Sequence, residues 1–100
     1  MAELRQLRGP NIASRDLING VVHQIIPSLT PNRGPYNLTI IPADPTGSLS
    51  GSLLLKHGMM SYTMDLSAGD WYRRMGRLGT FTITPVGLNP AELFTVQLNF

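Results

Sequence analysis

Cysteine is absent from this 100-residue chain. Its absence excludes disulfide staples and thiolate metal sites, and leaves the redox compartment open. Charge is scarce: Asp, Glu, Lys and Arg together make up 14% of the residues, against roughly 25% in an ordinary soluble domain. Lysine is nearly missing, Lys56 standing alone beside seven arginines, and glutamate is limited to Glu3 and Glu92. No apolar run approaches the roughly 18 residues of a membrane helix, so no membrane partner is expected. The opening MAELRQLRGPNIASRDL interleaves charged and apolar residues and meets Pro10. It lacks the basic stretch and unbroken apolar core of a secretory signal, and cytoplasmic synthesis is the default expectation.

Catalytic patterns are lacking as well. The only histidines are His23 and His57, and neither stands in metal-ligand spacing with the scattered aspartates. No serine lies in a Gly-x-Ser-x-Gly elbow. The segments GRLGTF and GTFTITPVG lack the glycine spacing and the Lys-Ser/Thr ending of a phosphate loop. Asn37-Leu38-Thr39 matches the glycosylation sequon, a triplet that arises often by chance and has no secretory route here to use it. These absences predict a protein that is not an enzyme, with no catalytic residue, no cofactor and no metal.

What is present points to contact surfaces. Five Met, seven aromatics and seven Arg accompany the single Lys and two Glu. Interfaces deplete Lys, Glu and Asp and enrich Arg, Met and aromatics, because guanidinium is weakly hydrated and makes planar, bidentate contacts. Much of this surface is therefore expected to be covered by a partner.

One domain of 100 residues carries one modest core. Residues 1–11 read as an N-terminal arm, with Leu4, Arg5, Leu7 and Arg8 at near-helical spacing before Gly9-Pro10. Residues 12–100 read as a single mostly-β domain. Over residues 14–26 two templates compete. Leu17, Ile18, Val21, Val22, Ile25 and Ile26 fall on one helical face, with Ser14 as cap and Pro27 as stop. Asn19-Gly20 between β-branched residues is instead a hairpin signal. The longer periodic match favours one helix.

Past the Pro-rich connector PSLTPNRGPYN the period changes to two. YNLTIIP alternates, and LSGSLLLKH with MMSYTMDLS flank Gly58 as a hairpin. GTFTITPV follows, with Phe81 and Ile83 on one face, and FTVQLNF alternates Phe94, Val96, Leu98 and Phe100 with polar residues. GLNPAELF between them carries a helix-start signature: Asn89 as cap, Pro90 first, Glu92 in the first turn. The expected fold class is mainly β, a small antiparallel sandwich or barrel with an N-terminal arm and one helix.

The segment GDWYRRMGRLG, Gly69 to Gly79, holds the chain's only Trp and three of its eight cations. Read as a long loop between strands, it offers Trp71, Tyr72, Arg73, Arg74 and Arg77 as contact residues of a protein interface, joined by Leu4, Arg5 and Arg8 of the arm. The rival reading stacks bases on Trp71 and Tyr72 and sets the arginines on phosphates, though a net charge of +2 is a small footprint for such a binder. A third reading leaves Trp71 capping the core and the arginines in solvent.

The closing LFTVQLNF resembles the last strand of bacterial outer-membrane barrels. That resemblance covers eight residues and implies a terminal strand that completes a sheet, its own or a neighbouring subunit's. The rest of the chain departs from it, being too short for eight spanning strands and without a signal peptide. The expected function is that of a structural subunit in a larger assembly, homo-oligomeric or hetero-oligomeric. A virus or phage virion component (capsid, decoration, tail or connector) is the favoured setting, and a small nucleic-acid-binding module of OB-like or barrel type is the alternative.

Overall fold

The computed structural model describes residues 5–27, 35–75 and 80–99. Nine strands form two sheets: β1 Arg5–Arg8, β2 Asn11–Ala13, β3 His23–Ile26, β4 Tyr36–Pro42, β5 Ser52–His57, β6 Met60–Asp65, β7 Tyr72–Met75, β8 Phe81–Val86 and β9 Phe94–Asn99. The larger sheet runs β1-β3-β8-β5-β6 and the smaller β2-β9-β4-β7. They stack as a sandwich rather than closing into a barrel. The β1–β3 pair is parallel, and the other pairs are antiparallel.

Alternation of side chains builds the core. Leu53 and Leu55 of β5, Phe81 and Ile83 of β8, and Ile25 of β3 face inward from the larger sheet; Tyr36, Leu38 and Ile40 of β4 with Phe94, Val96 and Leu98 of β9 meet them from the smaller. Strict period-two patterning of this kind fixes register, because a slip of one residue would turn every apolar side chain outward.

The expected helix over residues 14–26 does not form. Ser14–Asp16 makes one 3-10 turn, and His23–Ile26 is a strand. The Asn19-Gly20 signal prevails: Val21 N–H donates to the Ile18 carbonyl at 3.0 Å and Gly20 adopts φ 78°, which makes a type II turn. Long-range bonds then lock the turn in place. Gly20 N–H donates to the Pro85 carbonyl at 2.8 Å, and the Asn19 amide both donates to the Leu88 carbonyl and accepts from its N–H. The β-branched Val and Ile residues lose little χ1 freedom in a strand, which removes the incentive for helix.

Two further expectations change. Residues 5–8 of the predicted arm form a strand, with Leu7 packed against the core. The Asn89-Pro90-Glu92 signature yields a single turn, in which the Asn89 side-chain oxygen accepts from Ala91 N–H and its carbonyl from Glu92 N–H. By contrast the Gly58 hairpin forms as read. His57 pairs with Met60 around a two-residue turn, and Gly58 takes φ 62°, as the first position of a type II′ turn requires.

The chain passes between the sheets at both lateral edges. At one, β1 turns into β2 through Gly9-Pro10, pinned by Gly9 N–H to the Ile26 carbonyl and Leu98 N–H to the Pro10 carbonyl. At the other, β6 passes through a 3-10 turn, Leu66–Ala68, into β7. Gly51 marks the tightest approach in the molecule. A Cβ there would sit 2.5 Å from the Val86 carbonyl oxygen, and its φ is +85°.

Candidate interaction surface

Strand β7 settles where the Arg-aromatic segment lies. The expectation of a long loop is corrected for Tyr72–Met75, which pairs along β4 as an edge strand: Thr39 with Tyr72, Leu38 with Arg73, Asn37 with Arg74, Tyr36 with Met75. Alternation along β7 then divides the contact residues between two sides of the sheet.

Facing inward, Met75 is buried and Arg73 is half-buried. The Arg73 guanidinium carbon lies 3.4 Å from the centroid of the Tyr62 ring on β6, a cation–π contact that bridges the edge strands of the two sheets. Trp71, just before the strand, is half-buried against the core, and its indole N–H donates to the Leu66 carbonyl at 2.9 Å. Its own carbonyl accepts from Ile40 N–H at 2.7 Å. Trp71 thus holds the β6-to-β7 corner, which is the core-capping role.

Facing outward, Tyr72 is 55% exposed and its hydroxyl donates to the Asn37 side-chain oxygen at 2.8 Å. Arg74 is exposed and one guanidinium N–H reaches the same oxygen at 3.4 Å. Register extends this surface across the sheet. Tyr72, Thr39, Gln97 and Asn11 form one row; Arg74, Asn37 and Asn99 form the next. The Asn99 amide donates to the Gln97 side-chain oxygen at 3.3 Å. None of these positions is Lys, Asp or Glu. The face is a carboxylate-free platform of amides, hydroxyls, one aromatic ring and one guanidinium.

The other predicted contact residues lie apart. Arg8 is exposed on β1, whose sheet is the opposite one, and Arg5 opens that strand. Leu4 and Arg77 lie outside the described residues. Sequence reasoning missed Asn37, Gln97, Asn99 and Asn11. The polar alternation of FTVQLNF marked Gln97 and Asn99 as facing away from the core, but only the β4–β9 and β4–β7 registers bring them beside Tyr72.

The histidines stay separate from this surface. His23 is fully buried. Its Nε2 accepts from Ile18 N–H at 3.1 Å, which places the ring proton on Nδ1, 3.3 Å from the Ile83 carbonyl. The ring staples the type II turn to β8. His57 is half-buried at the hairpin turn. Among the described residues no group of three or more His, Cys, Asp or Glu is placed to hold a metal, and no helix is long and apolar enough to cross a membrane.

No protein-family model matches the chain, and neither the curated proteins nor the solved structures contain a significant match to it.

Proposed function

We propose that the chain is a non-enzymatic subunit of a larger protein assembly, and that the outer face of the smaller sheet, with its β7 edge, makes the contact. The observation that carries the reading is the chemistry of that face. A surface built to remain in water mixes Lys and Glu, and an edge strand meant to stay single is commonly blunted by an outward Lys. Here the outward positions are Tyr72, Arg74 and a field of amides and threonines, the residue types that protein interfaces concentrate and can desolvate at low cost. The narrower form of the proposal is a virus or phage virion component, supported by the same composition and by the lack of catalytic motifs.

The test is light scattering on the size-separated protein, with absorbance at 260 and 280 nm followed across the peak. A large particle free of nucleic acid is expected, reduced to monomer by Tyr72→Ala and Arg74→Ala with the thermal midpoint unmoved. A clean monomer of the unmodified chain would rule out self-assembly. A second reading keeps Tyr72 and Arg74 as a base-stacking and phosphate pair on an open sheet. It loses Trp71 and Arg73, both turned inward, and it requires nucleic acid in the peak with affinity that falls steeply with salt.

A further inference from the structure

A cleft opens between the β2–β3 and β8–β9 connections, away from the β7 edge, with a volume of about 390 Å³. That size lies within the range of small-molecule sites, which combine apolar walls with a few convergent polar groups. Leu17, Ile18, Leu88 and Phe94 supply the walls, and Arg15 and Glu92 line the same cleft.

The two charges are what the fold leaves unexplained. Glu92 Oε1 is shielded from solvent and accepts no hydrogen bond from the protein. A buried acceptor without a donor is costly, and more so when charged. Arg15 forms no ion pair with any described residue, so the opposite charges share a cleft without neutralising each other. The frame that holds them is rigid. The Asn19 amide clamps Leu88 from both sides, the Asn89 turn fixes Glu92, and Ser14 Oγ accepts from Phe94 N–H at 3.0 Å, which leaves the hydroxyl proton available to donate. Ile18 is 43% exposed at the wall.

We infer that this cleft binds a free α-amino acid with an apolar side chain. The ammonium donates to Glu92 Oε1, the carboxylate meets the Arg15 guanidinium, and the side chain covers Ile18 and its apolar neighbours. A zwitterion satisfies both charges at once, whereas a simple cation or anion leaves one opposed by a like charge. This site is independent of the subunit contact proposed above.

The probe is L-leucine, titrated into the full chain and followed by amide chemical shifts. Shifts concentrated at residues 14–19 and 88–94 are expected, with a Kd of about 1 mM. L-leucinamide, which lacks the carboxylate, and N-acetyl-L-leucine, which lacks the ammonium, should each bind about tenfold more weakly, since each loses one charge-assisted pair. Glu92→Gln should weaken leucine and leucinamide together while sparing N-acetyl-leucine, and Arg15→Gln should do the converse. No shift in the cleft at about 50 mM leucine, some fifty times the expected Kd, would overturn the proposal. So would equal binding of all three compounds to the unmodified protein, a comparison that needs no variant to fold.

Discussion

The two sides of strand β7 use the same residue types to different ends. On the inner side Trp71, Arg73 and Met75 are packed: the indole bonds to the Leu66 carbonyl, the guanidinium lies over Tyr62, and Met75 is buried. On the outer side Tyr72 and Arg74 share a single acceptor, the side chain of Asn37. An aromatic beside an arginine therefore has no fixed meaning in a sequence; the pleat decides. Where the pair faces the core it contributes to folding, and where it faces out its polar groups are held by exposed bonds of small net value. An inward-pointing charge on an edge strand also hinders unwanted strand pairing, so Arg73 protects the edge whose outer face Tyr72 and Arg74 present.

The largest expected effect lies on the inner side. Trp71→Ala removes the packing of a half-buried indole and its hydrogen bond, and should cost about 3 kcal/mol of stability. The sequence placed Trp71 among the interface residues, where its removal would leave the fold intact. Chemical denaturation of this variant separates the two roles. An unchanged midpoint would mean that the indole belongs to the contact surface after all.

The next effect is a pH dependence on the neighbouring strand. Tyr36 on β4 is fully buried, its hydroxyl finds no protein partner, and desolvation pushes its pKa from 10.0 up to about 12. The folded state therefore holds this proton after the unfolded state has released it. Below about pH 10 both states are protonated and this group gives no slope. As pH rises from about 10 to about 12 stability should fall by about 2–3 kcal/mol through this residue. Tyr36→Phe should remove that slope, and at neutral pH it should cost nothing or stabilise by about 1 kcal/mol, because it deletes a buried group without a partner. Denaturation of both proteins at about pH 8 and about pH 11.5 checks the sign; a slope that survives the substitution would assign it to other groups.

How much of this was legible follows from which forces are local. Strands β4, β5, β6, β8 and β9 were readable because each alternates over six or seven residues, and the Gly58 turn because two-residue hairpins need a positive φ. Residues 14–26 were misread because their apolar spacing fits a helix as well as a strand. The deciding bonds come from Pro85, Leu88 and the His23 ring, the first two more than sixty residues away in the chain. Of the candidate surface, Tyr72 and Arg74 were visible by residue type. That Trp71 and Arg73 turn the other way required knowing that the segment is a strand, and that Asn37 organises both outer residues required the β4–β7 register.

Asn37 gives the smallest expected effect on the fold and the sharpest test of the contrast between the two sides. It sits on β4 between Arg74 on β7 and Asn99 on β9, so it is central to the outer face, yet its side chain touches nothing in the core. Asn37→Ala should leave stability within about 0.5 kcal/mol, as for most substitutions away from buried features. It should nevertheless free Tyr72 and Arg74 to sample other rotamers, and a partner then has to order both again on binding, at about 0.5–1.5 kcal/mol for each side chain. Assembly should therefore weaken by roughly tenfold while the melting curve stays in place, which light scattering over a dilution series resolves. If assembly is unmoved, Tyr72 and Arg74 are held by the partner alone, and the hydrogen bonds to Asn37 belong to the free subunit rather than to the contact.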